Sequence, residues 1–166
     1  MKLVLIGFMG SGKTTVAPIL AEKLGLEIVE MDDLIVHKAG GKSIAEIFEA
    51  GGETYFRELE TAVAKDLRNH EQAVISTGGG VVMSSAAMDD LVNGAVVIEL
   101  AAPFTIILQR ISSNIPRPLF GDADQAKALY ELRKPLYSKY ATVRVTTDGK
   151  SIEDVVREVT QEVKKL

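Results

Sequence analysis

Gly7-Phe8-Met9-Gly10-Ser11-Gly12-Lys13-Thr14 follows the short apolar run Lys2 to Ile6 and leads into a stretch of helical character that ends at Gly25. The order matters as much as the residues. A strand that ends in G-x-x-x-x-G-K-[ST] and feeds a helix makes a phosphate-binding loop. Its glycines let the backbone wrap closely around phosphate oxygens, and its N–H groups and the helix N-terminus all face negative charge. In this pattern Gly10, Ser11, Gly12, Lys13, Thr14 and Thr15 hold ATP, with Lys13 on the β- and γ-phosphates and the Thr14 hydroxyl as a ligand for Mg²⁺. The alternative is a glycine turn that only joins strand to helix, and the flanking strand and helix weigh against it.

Outward from this loop the chain alternates. Strands are expected at Lys2 to Ile6, Leu26 to Glu30, Ala73 to Thr77, Ala95 to Leu100 and Val143 to Thr146, each a short apolar run bounded by glycine or polar residues. Helices are expected between them: Thr14 to Leu24 with a local kink at Pro18, Asp32 to Ala39, a helix opened by the capping box Ser43-x-x-Glu46 and broken at Gly51-Gly52, then Glu53 to Arg68, Ala86 to Val92, Pro103 to Ile111, Gln125 to Lys139 and Ser151 to Lys164. Strands that alternate with helices need crossovers, which give a parallel sheet with helices on both faces, a three-layer α/β domain. The stretch from Ser113, with Pro116 and Pro118, has no clear period and reads as a mobile lid over about residues 113–124. With 166 residues, 46% of them apolar, and no linker, one domain over 1–166 is expected.

Charge and composition narrow the class. A net charge of −4 without a long basic run argues against a nucleic-acid or membrane-surface partner. The absence of cysteine removes disulfides and thiolate metal sites and agrees with a cytoplasmic location. The apolar N-terminus is too short for a signal-peptide core, and no apolar run has the length to cross a bilayer. A phosphate-binding loop also serves GTPases, but no N-K-x-D base-reading motif is present, and the chain is short for a motor. A small-molecule kinase fits best.

The acceptor side is read from the remaining polar residues. Glu30-Met31-Asp32-Asp33 ends the second expected strand, where ligands of open α/β sheets gather, so a carboxylate there can orient and deprotonate an attacking hydroxyl or order the water around Mg²⁺. Capping of the next helix is the plainer role for Asp32 or Asp33. Arg57 is either a ligand group or a solvated arginine paired with Glu53 or Glu60. Gly78-Gly79-Gly80 closes the third strand, and three adjacent glycines lose conformational entropy on folding without packing in return, which a backbone passing close to a ligand would explain. Arg117, between two prolines, and Arg133, before Pro135, are each either phosphate or substrate ligands or surface arginines. His37 and His70 are expected in solvent, and Phe8 and Met9 in packing.

Taken together, the loop Gly7 to Thr15, Asp32, Gly52-Glu53 to Phe56-Arg57 with Glu60, the triple glycine, Arg117-Pro118-Leu119 and Arg133-x-Pro-Leu-Tyr137 resemble the shikimate kinases over nearly the whole chain. The resemblance implies a P-loop kinase fold with strand order 2-3-1-4-5 and transfer of the γ-phosphate of ATP to the 3-hydroxyl of shikimate. It also implies that Asp32 binds the acceptor hydroxyls, that Arg57, Arg133 and the Gly79 backbone form the substrate site, with the arginines on the shikimate carboxylate, and that Arg117 is the lid arginine that closes over ATP. Lys13, Asp32 and Arg117 would then be catalytic, with Mg²⁺ as cofactor and a monomer as the working form. Bidentate arginines with an acceptor carboxylate complement a hydroxylated carboxylic acid. This sequence departs from the family where the usual Asp-x-Asp is Glu30-Met31-Asp32, and where Gly40-Gly41 adds a residue, so that an alignment anchored there selects Asp33. The ungapped count from Lys13 selects Asp32. Lys150 stands where a basic residue often approaches adenine. Another metabolite kinase, such as one for gluconate, and a nucleotide-binding regulatory module are the rival readings.

Overall fold

A computed structural model describes residues 1–114 and 123–166. Strands β1 (Lys2–Ile6), β2 (Glu27–Glu30), β3 (Ala73–Ser76), β4 (Ala95–Ala101) and β5 (Val143–Thr146) form one sheet in the order β2-β3-β1-β4-β5. All four pairings are parallel. This is the expected five-stranded order.

Alternation along the strands divides the apolar residues between two cores. Val4 and Ile6 of β1, Ala73 and Ile75 of β3 and Val97 of β4 face one side, while Leu3, Leu5, Val74, Ile98 and Leu100 face the other. The first side is covered by α2 (Met31–Lys38), α3 (Ile44–Asp66), α4 (Ser85–Leu91), α5 (Phe104–Asn114) and α6 (Ala123–Tyr140). The second is covered by α1 (Lys13–Leu24) and α7 (Ile152–Val163), which bury Val16, Leu20, Val155, Val159 and Val163. Strands buried on both faces explain why β1 and β3 read as continuous apolar runs.

Three local expectations meet the structure. α1 continues through Pro18, and since Pro18 and Thr14 are both exposed, water can serve the Thr14 carbonyl that proline leaves without a helical donor. The break at Gly51-Gly52 is where it was expected: Gly52, at φ 67° and ψ −165°, is a non-helical kink that divides α3 into two helical parts, a conformation open to glycine. α5 runs on to Asn114, so Ser113 is helical rather than the start of an irregular stretch. Residues 115–122 of the expected lid, Arg117 among them, lie outside the described residues.

The sheet order sets the site. The chain leaves β1 toward β2 and β3 on one side and toward β4 and β5 on the other, and the crevice of such a sheet opens at the carboxyl ends of the strands where the order reverses. Leu5 of β1 lies beside Ser76 of β3, so the loops that follow emerge together. Thr77 holds them there, its Oγ1 donating to the Leu5 carbonyl at 2.8 Å and its N–H to the same oxygen at 3.3 Å.

Candidate functional site

The crevice is a cavity of about 620 Å³, lined along one wall by Met9 to Val16, which include the whole glycine–lysine–threonine segment. Its size suits a nucleotide-sized ligand. Lys13 is buried, and its Nζ donates to the carbonyls of Gly7 at 2.5 Å and Phe8 at 3.2 Å, so the ammonium is held within the curve of the loop. Burial pushes its pKa down to about 8, opposed by the carboxylates of Asp32 and Glu30 and assisted by Arg133. Gly10, Ser11, Gly12, Thr14 and Thr15 all line the cavity, as the motif requires.

Asp32 sits in the first turn of α2 and lines the crevice opposite Lys13; Asp33 does not line it. Neither aspartate is the cap of α2, a position held by Glu30, which makes no side-chain capping bond. Asp32 is open to solvent through the crevice mouth, yet surrounding protein pushes its carboxyl pKa upward, with Lys13 and Arg57 opposing and Asp33 assisting the rise. Glu30 is turned instead onto Ser76, and burial raises its pKa as well. Its Oε1 is buried without a hydrogen-bond partner among the described residues.

Beyond Asp32 lies a second group. Arg57 Nη1 donates to Glu60 Oε1 at 2.6 Å, and its Nε lies 3.5 Å from Glu53 Oε1, so both sequence-spaced partners are used. Glu60, however, is 0% exposed. A surface pair contributes a few tenths of a kcal/mol, whereas a wholly buried carboxylate left without its cation costs about 3–5 kcal/mol, so Arg57 is not a solvated helix arginine. Burial pushes the Glu60 pKa up, against the pull of Arg57. Arg133 is 8% exposed, lies over the Phe8 ring at 5.8 Å, and has a buried Nε with no hydrogen-bond partner among the described residues. It is not a surface arginine either.

The triple glycine joins the two groups: Gly78 and Gly79 line the crevice, and all three positions are also crowded by protein. A Cβ on Gly79 would lie 3.1 Å from the Met9 backbone nitrogen, and one on Gly80 would collide with Arg57 Nη2 and lie 3.0 Å from Arg133 Nη2. At Gly78 it would meet Asp32 Oδ1 at 3.2 Å. The three residues therefore thread between the phosphate loop, the carboxylate and the two guanidiniums, each position occupied on its open side by a different protein group. The arginines converge over Gly80, and the one wholly buried carboxylate paired there, Glu60, is bonded to Arg57, a setting that attracts an anion.

Local sequence did not point to Arg110. Its Nη1 donates to the Gly10 carbonyl at 3.1 Å and to Thr147 Oγ1 at 2.9 Å, and its Nη2 to the Thr147 carbonyl at 3.2 Å, so it ties the phosphate loop to the segment after β5. No motif surrounds it; only the β1–β4–β5 adjacency brings these parts together. Lys150 does line the cavity, with Nζ 2.5 Å from Glu158 Oε2. Phe8 is buried in the core and Met9 packs against it, as expected. His37 is exposed, while His70 is only partly so and lies 3.0 Å from Glu27 Oε2.

Comparison with known proteins follows the same lines. The family model described as shikimate kinase matches residues 9–164. A shikimate kinase of Persephonella marina is 39% identical over 158 residues, covering 95% of each chain. The solved shikimate kinase of Acinetobacter baumannii, in complex with shikimate, superposes with a TM-score of 0.89 at 33% identity, covering 99% of this chain and 93% of that one. A gluconokinase from Sinorhizobium meliloti, at 16% identity and TM-score 0.64, shares the fold alone. With a family match over almost its whole length, the expected strand order and the phosphate loop at the sheet's reversal, this chain belongs to the shikimate kinase family.

Proposed function

We propose that the chain transfers the γ-phosphoryl group of ATP to the 3-hydroxyl of shikimate, releasing ADP and shikimate 3-phosphate. The observation that carries this reading is the division of the site into a phosphate half, Gly10 to Thr15 with Lys13, and an anion half, where Arg57 and Arg133 converge over Gly80 with Asp32 at the boundary.

In this reading Arg57 and Arg133 grip the shikimate carboxylate and the Gly79 backbone borders the ring, which brings the 3-hydroxyl to Asp32. The Asp32 carboxylate accepts the hydroxyl proton as that oxygen attacks the γ-phosphorus, and ADP departs as the β–γ bridging oxygen takes the displaced electron pair. Lys13 and the loop N–H groups stabilise the charge that spreads over the phosphate oxygens. The hydroxyl of Thr14 offers the hard oxygen donor that suits Mg²⁺. Among the described residues no group of three or more His, Asp or Glu could hold a metal alone, which fits an ion carried largely by the nucleotide's phosphates. Held there, Mg²⁺ would supply Lewis-acid neutralisation of the charge on the transferring phosphoryl group. Arg117, by the family pattern, closes over the nucleotide and excludes water.

One domain acting as a cytoplasmic monomer completes the proposal, with no nucleic-acid or membrane partner. Among the described residues no helix is long and apolar enough to cross a membrane. The test is ADP release with Mg-ATP and a panel of hydroxy acids. Shikimate is expected to raise the rate far above the ATP-only background while gluconate does not. Equal stimulation by gluconate would transfer the reading to a broader metabolite kinase, and no stimulation by either would favour a nucleotide-binding regulatory module.

A further inference from the structure

Helix α6 presents two tyrosines whose hydroxyls make the same kind of bond to different places. Tyr130 Oη donates to the Ala102 carbonyl, just beyond β4, at 2.9 Å. Tyr137 Oη, about two turns further on, donates to the Gly79 carbonyl at 2.5 Å. Tyr137 is 3% exposed, and burial holds its phenol protonated well above the ordinary range, so it is a permanent donor. The Arg133 guanidinium, one helical turn before it on α6, interacts electrostatically with the same phenol. Gly79 touches the phosphate loop at Met9, and its neighbour Gly80 faces both guanidiniums. One hydroxyl therefore joins the arginine of the anion half to the backbone segment that abuts the phosphate half.

We infer that Tyr137 is a positioning residue, which acts through Arg133 and Gly79 to fix the distance between the acceptor's carboxylate grip and the phosphate loop. This rests on the assignment of Arg57 and Arg133 to the acceptor carboxylate made above. Without the hydroxyl, the Gly79 carbonyl loses the bond that keeps the glycine segment against Met9, and Arg133, whose buried Nε has no hydrogen-bond partner among the described residues, loses a polar neighbour. Since a misplacement of about 1 Å can reduce a rate by about 10²-fold, a small displacement here suffices to matter.

The matched substitutions Tyr137→Phe and Tyr130→Phe separate positioning from simple stability, because each removes one tyrosine-to-carbonyl bond from the same helix. In Y137F the KM for shikimate is expected to rise about tenfold, with the KM for ATP changed by less than about twofold. In Y130F melting temperature falls to a similar degree and neither KM moves. An acceptor KM in Y137F no higher than in Y130F overturns the inference. If Y137F does not fold, the unmutated protein with ¹³C-labelled tyrosine is titrated with shikimate alone. The Tyr137 Cζ resonance is expected to shift on saturation, and an unshifted resonance overturns the inference. An unmutated chain that releases no ADP with shikimate would count against the proposed function itself, whereas an active one with Y137F matching Y130F counts against the Tyr137 inference alone.

Discussion

Asp32→Asn is expected to lower turnover with shikimate by about 10²–10⁴-fold while ATP still binds. Asparagine preserves the shape but cannot take the hydroxyl proton. Binding survives because the phosphates are held by the loop from Gly10 to Thr15 and by Lys13, none of which depends on the Asp32 carboxylate for its place. Steady-state rates with saturating shikimate and direct nucleotide titration check both halves. Near-normal turnover would remove Asp32 from the chemistry and move the role to Asp33, whose side chain does not line the crevice. The pH profile adds a sign. Burial raises the Asp32 pKa, so in the unmutated protein activity is lost as pH falls through that raised value, and D32N is expected to lose this acid limb.

Lys13→Met is expected to reduce kcat/KM for ATP by about 10²–10³-fold, the range for removing a preorganised group aimed at developing charge. The group also titrates. With its pKa lowered to about 8, Lys13 is a cation below that pH and neutral above it, so kcat/KM for ATP should fall as pH rises through about 8. kcat at saturating ATP should hold to higher pH, because bound phosphate favours the ammonium. Lys13→Arg should lose the basic limb altogether, since arginine does not titrate in this range. In D32N the same limb should move to lower pH, because Asp32 is the leading group that raises the Lys13 pKa. A basic limb that stays in place in K13R would assign it to another group.

The two halves of the site were not equally legible. The phosphate half is local: a strand, a glycine loop, a lysine and a helix follow one another in the chain, so Gly7 to Thr15 could be read from sequence and lies where it was expected. The sheet was readable for a similar reason, because strands buried on both faces are short apolar runs between glycines. The anion half is assembled from α2, α3, the segment after β3 and α6, and only the family resemblance connected Asp32, Arg57, Gly79 and Arg133 beforehand. Spacing alone could not exclude a surface ion pair for Arg57, because it cannot show that Glu60 is wholly buried. The triple glycine was marked as a backbone passing close to a ligand, and nothing in the sequence shows that it is also pressed against the phosphate loop and two guanidiniums. Arg110 carried no signal at all, since its partners Gly10 and Thr147 are distant in the chain and meet only through strand order.

The central claim is that the two arginines over Gly80 select an acceptor by its carboxylate and present its hydroxyl to the phosphate half. The most direct measurement compares ADP release by the unmutated chain, with Mg-ATP, for shikimate and for its methyl ester, which keeps the ring and hydroxyls but removes the charge. If Arg57 and Arg133 grip the carboxylate, kcat/KM for the ester falls by about 10²-fold or more, the loss of a charge-assisted bidentate contact. Equal use of the acid and the ester would contradict the account.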